Sequence, residues 1–343
     1  MELLKDRADT RRPRFSRAIE PLPLKLPQGK SLGPAIAAKR APNGELVILH
    51  HGAVMPGDTT NYLPQLVRFS ADFEILDSWG GPDQLPTADG VSQWPAGPEG
   101  LEIDAEGNFW IFGYQPQDSA VLKFSSTGEL LLRIGQRGRP GDDDDTEFLG
   151  DGVTSCFHDV VTREVFLSDG YSNHRVIVFN SDTGAFTRMW GAYGEKPSSV
   201  APERQYGSPV HKVARGPNGL IYVCDRINSR VQEFELIPGG ARYLREVYIA
   251  PGTTHFGAAF DIVFTPDDHY MLVDDGINGR IWSVDLESLG VLGWTSTALA
   301  EEGTDNVPTY HSLVHRFMIE PNGDLILCCT IAGYHRMYYL GVS

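Results

Sequence analysis

The strongest constraint on the fold is a unit that the chain repeats, seen most clearly in residues 208–235. Lys212 to Arg215 reads as a short strand running into Pro217-Asn218-Gly219, and Leu220 to Cys224 reads as an apolar strand beyond that turn. A polar corner from Asp225 to Arg230 follows, then an alternating strand, Val231 to Phe234. Proline presets φ and Asn-Gly tolerates φ > 0, so the tripeptide closes a tight turn. The pattern recurs at Asn43-Gly44, Glu106-Gly107-Asn108, Arg163-Glu164, Asp274-Asp275-Gly276 and Pro321-Asn322-Gly323. Six copies spaced by roughly 50–60 residues, all of short strands, predict an all-β six-bladed β-propeller closed around a central channel. A β-sandwich would leave the repeat unexplained.

The repeats make residues 30–343 one propeller domain. Residues 1–29, charged and without periodicity, read as an N-terminal arm, either disordered or packed on the propeller. The formal charge of −16 argues against nucleic acid and anionic membrane as partners, because both reward a basic surface. A small-molecule substrate is the expected partner, and a closed ring leaves the oligomeric state open. The start Met1-Glu2-Leu3-Leu4-Lys5-Asp6-Arg7 lacks the apolar core of a secretory signal. Cys156, Cys224, Cys328 and Cys329 have no metal-type spacing and read as reduced, buried thiols of a cytoplasmic protein. The run Asp142-Asp143-Asp144-Asp145 lacks the spaced ligands of a calcium loop and reads as a solvated acidic loop, so calcium is doubtful. His158, His174, His269 and His335 read as surface histidines.

The chemical signal appears when one position is compared across the blades. The residue eight before each turn glycine, at the start of the innermost strand, is Ile36, Glu99, His211 and His315 in blades one, two, four and six. Counting back from Asp169 and Asp275 gives Ser155 and Asp261 in blades three and five. Innermost strands line the channel, so Glu99, His211 and His315 converge from alternate blades. Two imidazoles and a carboxylate suit a divalent transition metal, zinc first and iron next. The alternative is a pair of histidines that only hydrogen-bond across the channel.

Pro98-Glu99-Gly100-Leu101-Glu102-Ile103-Asp104 and Leu167-Ser168-Asp169-Gly170-Tyr171-Ser172-Asn173-His174-Arg175 carry a resemblance from about Gly33 to Gly333. The sequence resembles the peptidyl-α-hydroxyglycine α-amidating lyase family, propellers related to NHL-repeat proteins. The resemblance implies zinc held by three histidines on alternate blades, of which His211 and His315 match two and Glu99 replaces the third. It also implies a catalytic role for Tyr171. Four departures accompany it. His51 stands where the family has a substrate-gripping Arg, and Arg316 where it has a calcium-binding Asp. Ser172 replaces a disulfide cysteine, and Glu99 replaces a neutral ligand with a charged one.

These features point to a metal-dependent enzyme with its site in the channel. The expected reaction is a lyase reaction on a small hydroxylated substrate, of carbinolamine or hydroxy-acid type, related to peptide amidation without being identical to it. Glu99, His211 and His315 would hold the metal, Tyr171 or His51 would move the proton, and Arg316 would anchor an anionic group near the channel mouth. A metal-dependent hydrolase of lactonase or amidase type is the alternative, because a carboxylate ligand favours water activation. A non-catalytic scaffold for protein interaction is the second alternative.

Overall fold

The computed structural model describes residues 11–53, 58–82, 87–88, 91–198, 204–252, 256–297 and 313–342. Six four-stranded antiparallel sheets form the blades of a six-bladed propeller. Their innermost strands are Ala35–Arg40, Pro98–Ile103, Val153–Asp159, Val210–Arg215, Asp261–Phe264 and Val314–Ile319. Each blade runs outward from its inner strand in sequence order, except the sixth. There the outer strand is Pro13–Pro21, which pairs antiparallel with Gly333–Val342. The ring is therefore closed by strands from distant parts of the chain. The loop 52–61, long for a hairpin, falls partly outside the described residues, as do 54–57 within it.

The apolar residues do not make one central core. They form a wedge between each pair of neighbouring blades, as alternating side chains of facing sheets require. Trp94, Phe109 and Phe124 fill the wedge between blades one and two, where Trp79 stacks on Phe109 with ring centroids 6.1 Å apart. Leu272, Val314 and Leu327 fill the wedge between blades five and six. The centre of the ring is left to polar groups.

The corner seen in the repeat is a buried ion-pair staple. Asp169 Oδ2 accepts from Arg175 Nε at 2.8 Å and from Asn173 at 2.9 Å. Asp225 Oδ2 accepts in the same way from Arg230 Nε and Asn228, both at 2.8 Å. The acidic loop is tied into the first of these staples rather than merely solvated. Arg175 donates to the carbonyls of Asp143 and Asp145, while Asp143 accepts from His174 Nδ1 at 3.0 Å. Asp142 and Asp145 accept from backbone amides of their own turn, and Asp144 pairs with Lys196 at 2.8 Å. His174 and His158 are accordingly half-buried and His335 is buried, so of the four expected surface histidines only His269 is exposed. All four cysteines are buried and unpaired with one another. Among the described residues no helix is long and apolar enough to cross a membrane.

Candidate metal centre in the central channel

In five blades the pairing of the innermost strand slips by one residue. The residues left out of the ladder are Ile36, Glu99, Thr154, His211 and His315. A bulge of this kind kinks the strand and re-aims a side chain, and here the device is repeated around the ring. In blade five the matching residue is Phe260, whose N–H donates to Asp274 O. The residues in phase with Glu99, His211 and His315 are therefore Thr154 and Phe260, not Ser155 and Asp261. The hairpin of blade three is one residue longer than that of blade four, so counting back from Asp169 stops one residue short.

One ligand-type atom from each of Glu99, His211 and His315 lies within 4.8 Å of the others. His315 Nε2 is 3.2 Å and His211 Nε2 3.8 Å from Glu99 Oε1. The two imidazoles stand perpendicular, with centroids 5.5 Å apart. His211 is fully buried and its Nδ1–H donates to Phe260 O at 2.6 Å, which fixes the tautomer. Its Nε2 then carries a bare lone pair, buried and without a hydrogen-bond partner among the described residues. Burial first, and then Arg316, Arg226 and His315, push its pKa well below the ordinary histidine value, so the ring is neutral. A neutral imidazole with one nitrogen tethered and the other pointing at a carboxylate and a second histidine fits a divalent metal.

Glu99 is almost fully buried. Burial would raise its pKa, but His315, Arg316 and Arg226 outweigh that and hold the carboxyl below its usual range. Arg316, expected to anchor an anionic group near the channel mouth, is buried and engaged by protein, donating to Glu99 Oε1 at 3.1 Å, to Thr154 O and to His211 O at 3.4 Å.

Tyr171 brings its hydroxyl 3.4 Å from Glu99 Oε1. Its position depends on Gly170, because a Cβ there would sit 2.1 Å from Val210 O on the next blade. Burial, with the Glu99 charge, raises the Tyr171 pKa above that of an ordinary phenol, so its proton is firmly held. His51 joins the same mouth through Tyr114, whose ring is 6.1 Å from both the His51 and the Tyr171 rings. Neighbouring His50 is a latch instead, accepting from Gly33 N and contacting Pro64 O.

Sequence reasoning missed Arg226. Its guanidinium lies 4.8 Å over the Phe260 ring and beside Tyr171, and its Nε has no hydrogen-bond partner among the described residues. The signal was present. The residue after the corner Asp is Gly170 in blade three and Gly276 in blade five, but Arg226 in blade four. Room for it comes from Gly257, since a Cβ at that residue would overlap the Arg226 carbonyl oxygen at 1.5 Å.

Burial lowers the His51 pKa to about 4, with the nearby Glu99 opposing the shift and His315 adding to it. Between pH 6.5 and 4 the unfolded chain therefore binds a proton at this residue that the folded protein does not. Stability must fall as pH falls through that window. Chelator-treated protein is expected to lose about 2 kcal/mol from His51 between pH 7.5 and 5. His211 adds to the loss in the same direction. Urea titrations at both pH values should show a shallower dependence for His51→Gln; an unchanged dependence would contradict a neutral, buried His51.

No family model matches the chain. It is 34% identical over 139 residues to peptidyl-glycine alpha-amidating monooxygenase of Mus musculus, covering 40% of this chain. That stretch is 14% of the mouse protein's length. The chain is 22% identical over 218 residues to a probable peptidyl-alpha-hydroxyglycine alpha-amidating lyase of Caenorhabditis elegans, covering 60% of this chain and 59% of the relative. Human NHL repeat-containing protein 3 is 25% identical over 267 residues, covering 75% and 68%. Among solved structures, virginiamycin B lyase from Staphylococcus aureus has a TM-score of 0.55 over 95% of this chain and 88% of that one. At 15% identity this is a likeness of fold. The chain is a six-bladed β-propeller with homologues named peptidyl-alpha-hydroxyglycine alpha-amidating lyase and NHL repeat-containing protein.

Proposed function

We propose that Glu99, His211 and His315 hold a divalent metal, zinc foremost and iron next, and that the chain is a lyase. Its substrate is a small molecule with a hydroxylated carbon of carbinolamine or hydroxy-acid type. The observation that carries the reading is His211, fully buried, with one nitrogen tethered to Phe260 O and the other bare and directed at Glu99 and His315. The names of the relatives support the reaction class. The bound metal would supply Lewis acidity toward a substrate oxygen.

The protein's own groups are arranged for the proton that such a cleavage must move. In a carbinolamine the O–H electrons become the carbonyl bond, the C–N pair leaves with nitrogen, and the hydroxyl proton ends on that nitrogen. No other reactant is needed. His51 is neutral near pH 7, with its pKa lowered to about 4, and can receive a proton. Tyr171 keeps its proton and can give it to the departing nitrogen. Arg226 lies beside Tyr171, and its fixed positive charge near Glu99 and His211 suits an oxygen that gains negative charge.

A hydrolase of lactonase or amidase type is the second reading, favoured by the carboxylate in the ligand set. Elemental analysis of tag-free protein separates the metal centre from a merely hydrogen-bonded channel. Wild type should carry near-stoichiometric zinc or iron, and His211→Ala should lose it. Wild type that stays metal-free after resupply would overturn the centre and leave the scaffold reading.

A further inference from the structure

Arg316 is out of place beside a cation site, and its surroundings explain it. It directly follows His315 on the strand Val314–Ile319 and resumes the ladder opposite Cys328 after the bulge. The slip lets both adjacent side chains turn to one carboxylate: His315 Nε2 is 3.2 Å and Arg316 Nη2 3.1 Å from Glu99 Oε1. From blade six its side chain meets Glu99 of blade two, Thr154 of blade three and His211 of blade four. It is 7% exposed. A guanidinium does not shed its charge on burial, so it requires an anion. Among the described residues the one carboxylate it pairs with is Glu99, at 3.1 Å. Lys39 and Lys212, which line the small cavity below it, have acids of their own in Glu102 at 2.8 Å and Asp261 at 3.2 Å.

We infer that Arg316 is a positioning residue of the metal centre: it fixes the Glu99 carboxylate and offsets its charge, so that Glu99, His211 and His315, taken together with Arg316, meet a divalent cation with zero net charge. The inference rests on the proposed metal centre. Glu99 with Arg316 has the same net charge as one neutral imidazole, so the pair stands in for a third histidine electrostatically while keeping an oxygen donor. Each partner depends on the other, since removing one leaves a buried, uncompensated charge. Loss of Glu99 alone leaves a cation pressed against the site. Loss of Arg316 alone leaves the Glu99 carboxylate without its paired cation and makes the site more negative by one charge, so a dication fills it more readily.

The test is the dissociation constant for Zn²⁺ and Co²⁺, measured on the full chain by competition with a chromophoric chelator. Wild type is compared with Arg316→Met, Arg316→Lys, Glu99→His and the double variant Glu99→His/Arg316→Met. Arg316→Met is expected to bind at least roughly tenfold more tightly than wild type. Glu99→His should bind at least roughly tenfold more weakly than the double variant, and the double variant should fall within about tenfold of wild type. Arg316→Lys should keep the affinity within about threefold, since the charge stays, but shift the visible Co²⁺ spectrum, since the fork is lost. Equal affinities for wild type and Arg316→Met, or for Glu99→His and the double variant, would overturn the inference with the metal centre intact. Should Arg316→Met not fold, the Glu99→His pair still decides. Wild type that binds neither ion removes the centre itself, and the inference with it.

Discussion

An Arg175→Ala protein is expected to be about 3–5 kcal/mol less stable than wild type in urea denaturation. Arg175 is fully buried and every hydrogen bond it makes has a structural partner. Its Nε donates to Asp169 at 2.8 Å, Nη1 to Asp143 O at 3.0 Å, and Nη2 to Phe148 O at 3.0 Å. Truncation removes the cation and leaves Asp169 in a site where burial already raises its pKa despite Arg175. The abandoned carboxyl must take up a proton or draw in water. Arg175→Lys should recover part of the loss, because the charge returns without the fork that reaches Asp169, Asp143, Asp145 and Phe148. Asp169→Asn/Arg175→Met should be less damaging than Arg175→Ala, since no charge is then left uncompensated. A loss below about 1 kcal/mol for Arg175→Ala would show that the staple is not a stability element.

The second large effect concerns chemistry. Tyr171→Phe is expected to lower kcat by about 10²–10⁴-fold, the usual weight of one acid–base group, while leaving metal content unchanged. The ring keeps its place because Gly170, Gly152 and Tyr114 set it, and none of them touches the hydroxyl. Only the oxygen near Glu99 disappears. The assay uses whichever carbinolamine, hydroxy-acid or lactone substrate wild type turns over, with elemental analysis run alongside. A kcat within about threefold of wild type would move the proton transfer to another group, and His51→Gln would be the next variant.

How much of this could be read from the sequence follows from what the sequence repeats. The turn glycines mark the hairpins because their geometry demands them: Gly44, Gly107, Gly219 and Gly323 all have φ between 82° and 90°. The blades, the channel and the phase of Glu99, His211 and His315 followed from that one local signal. Thr154 and Phe260 escaped because their hairpins lack the glycine, and a count that starts elsewhere cannot see one extra residue. Arg316 was legible as a charge next to a ligand, but not its direction. The pairing slips at His315, and that slip, not simple alternation along the strand, turns both His315 and Arg316 toward Glu99. Arg226 escaped for another reason. Its place at the site is set by blade five, through Phe260 and Gly257, and no pattern within blade four reports on that.

The closure of the sixth blade sets an order of events in folding. Its strands come from both ends of the described chain, Pro13–Pro21 laid against Gly333–Val342, so their pairing is the least local in the molecule. Contacts of such separation carry the largest loop-closure entropy and form late. His315 belongs to that blade, on its inner strand Val314–Ile319, whereas Glu99 and His211 sit on blades built entirely from consecutive hairpins. During synthesis the chain would hold a carboxylate and one histidine in place well before the third ligand arrives. The three candidate ligands are then brought together only when blade six docks against the rest of the ring.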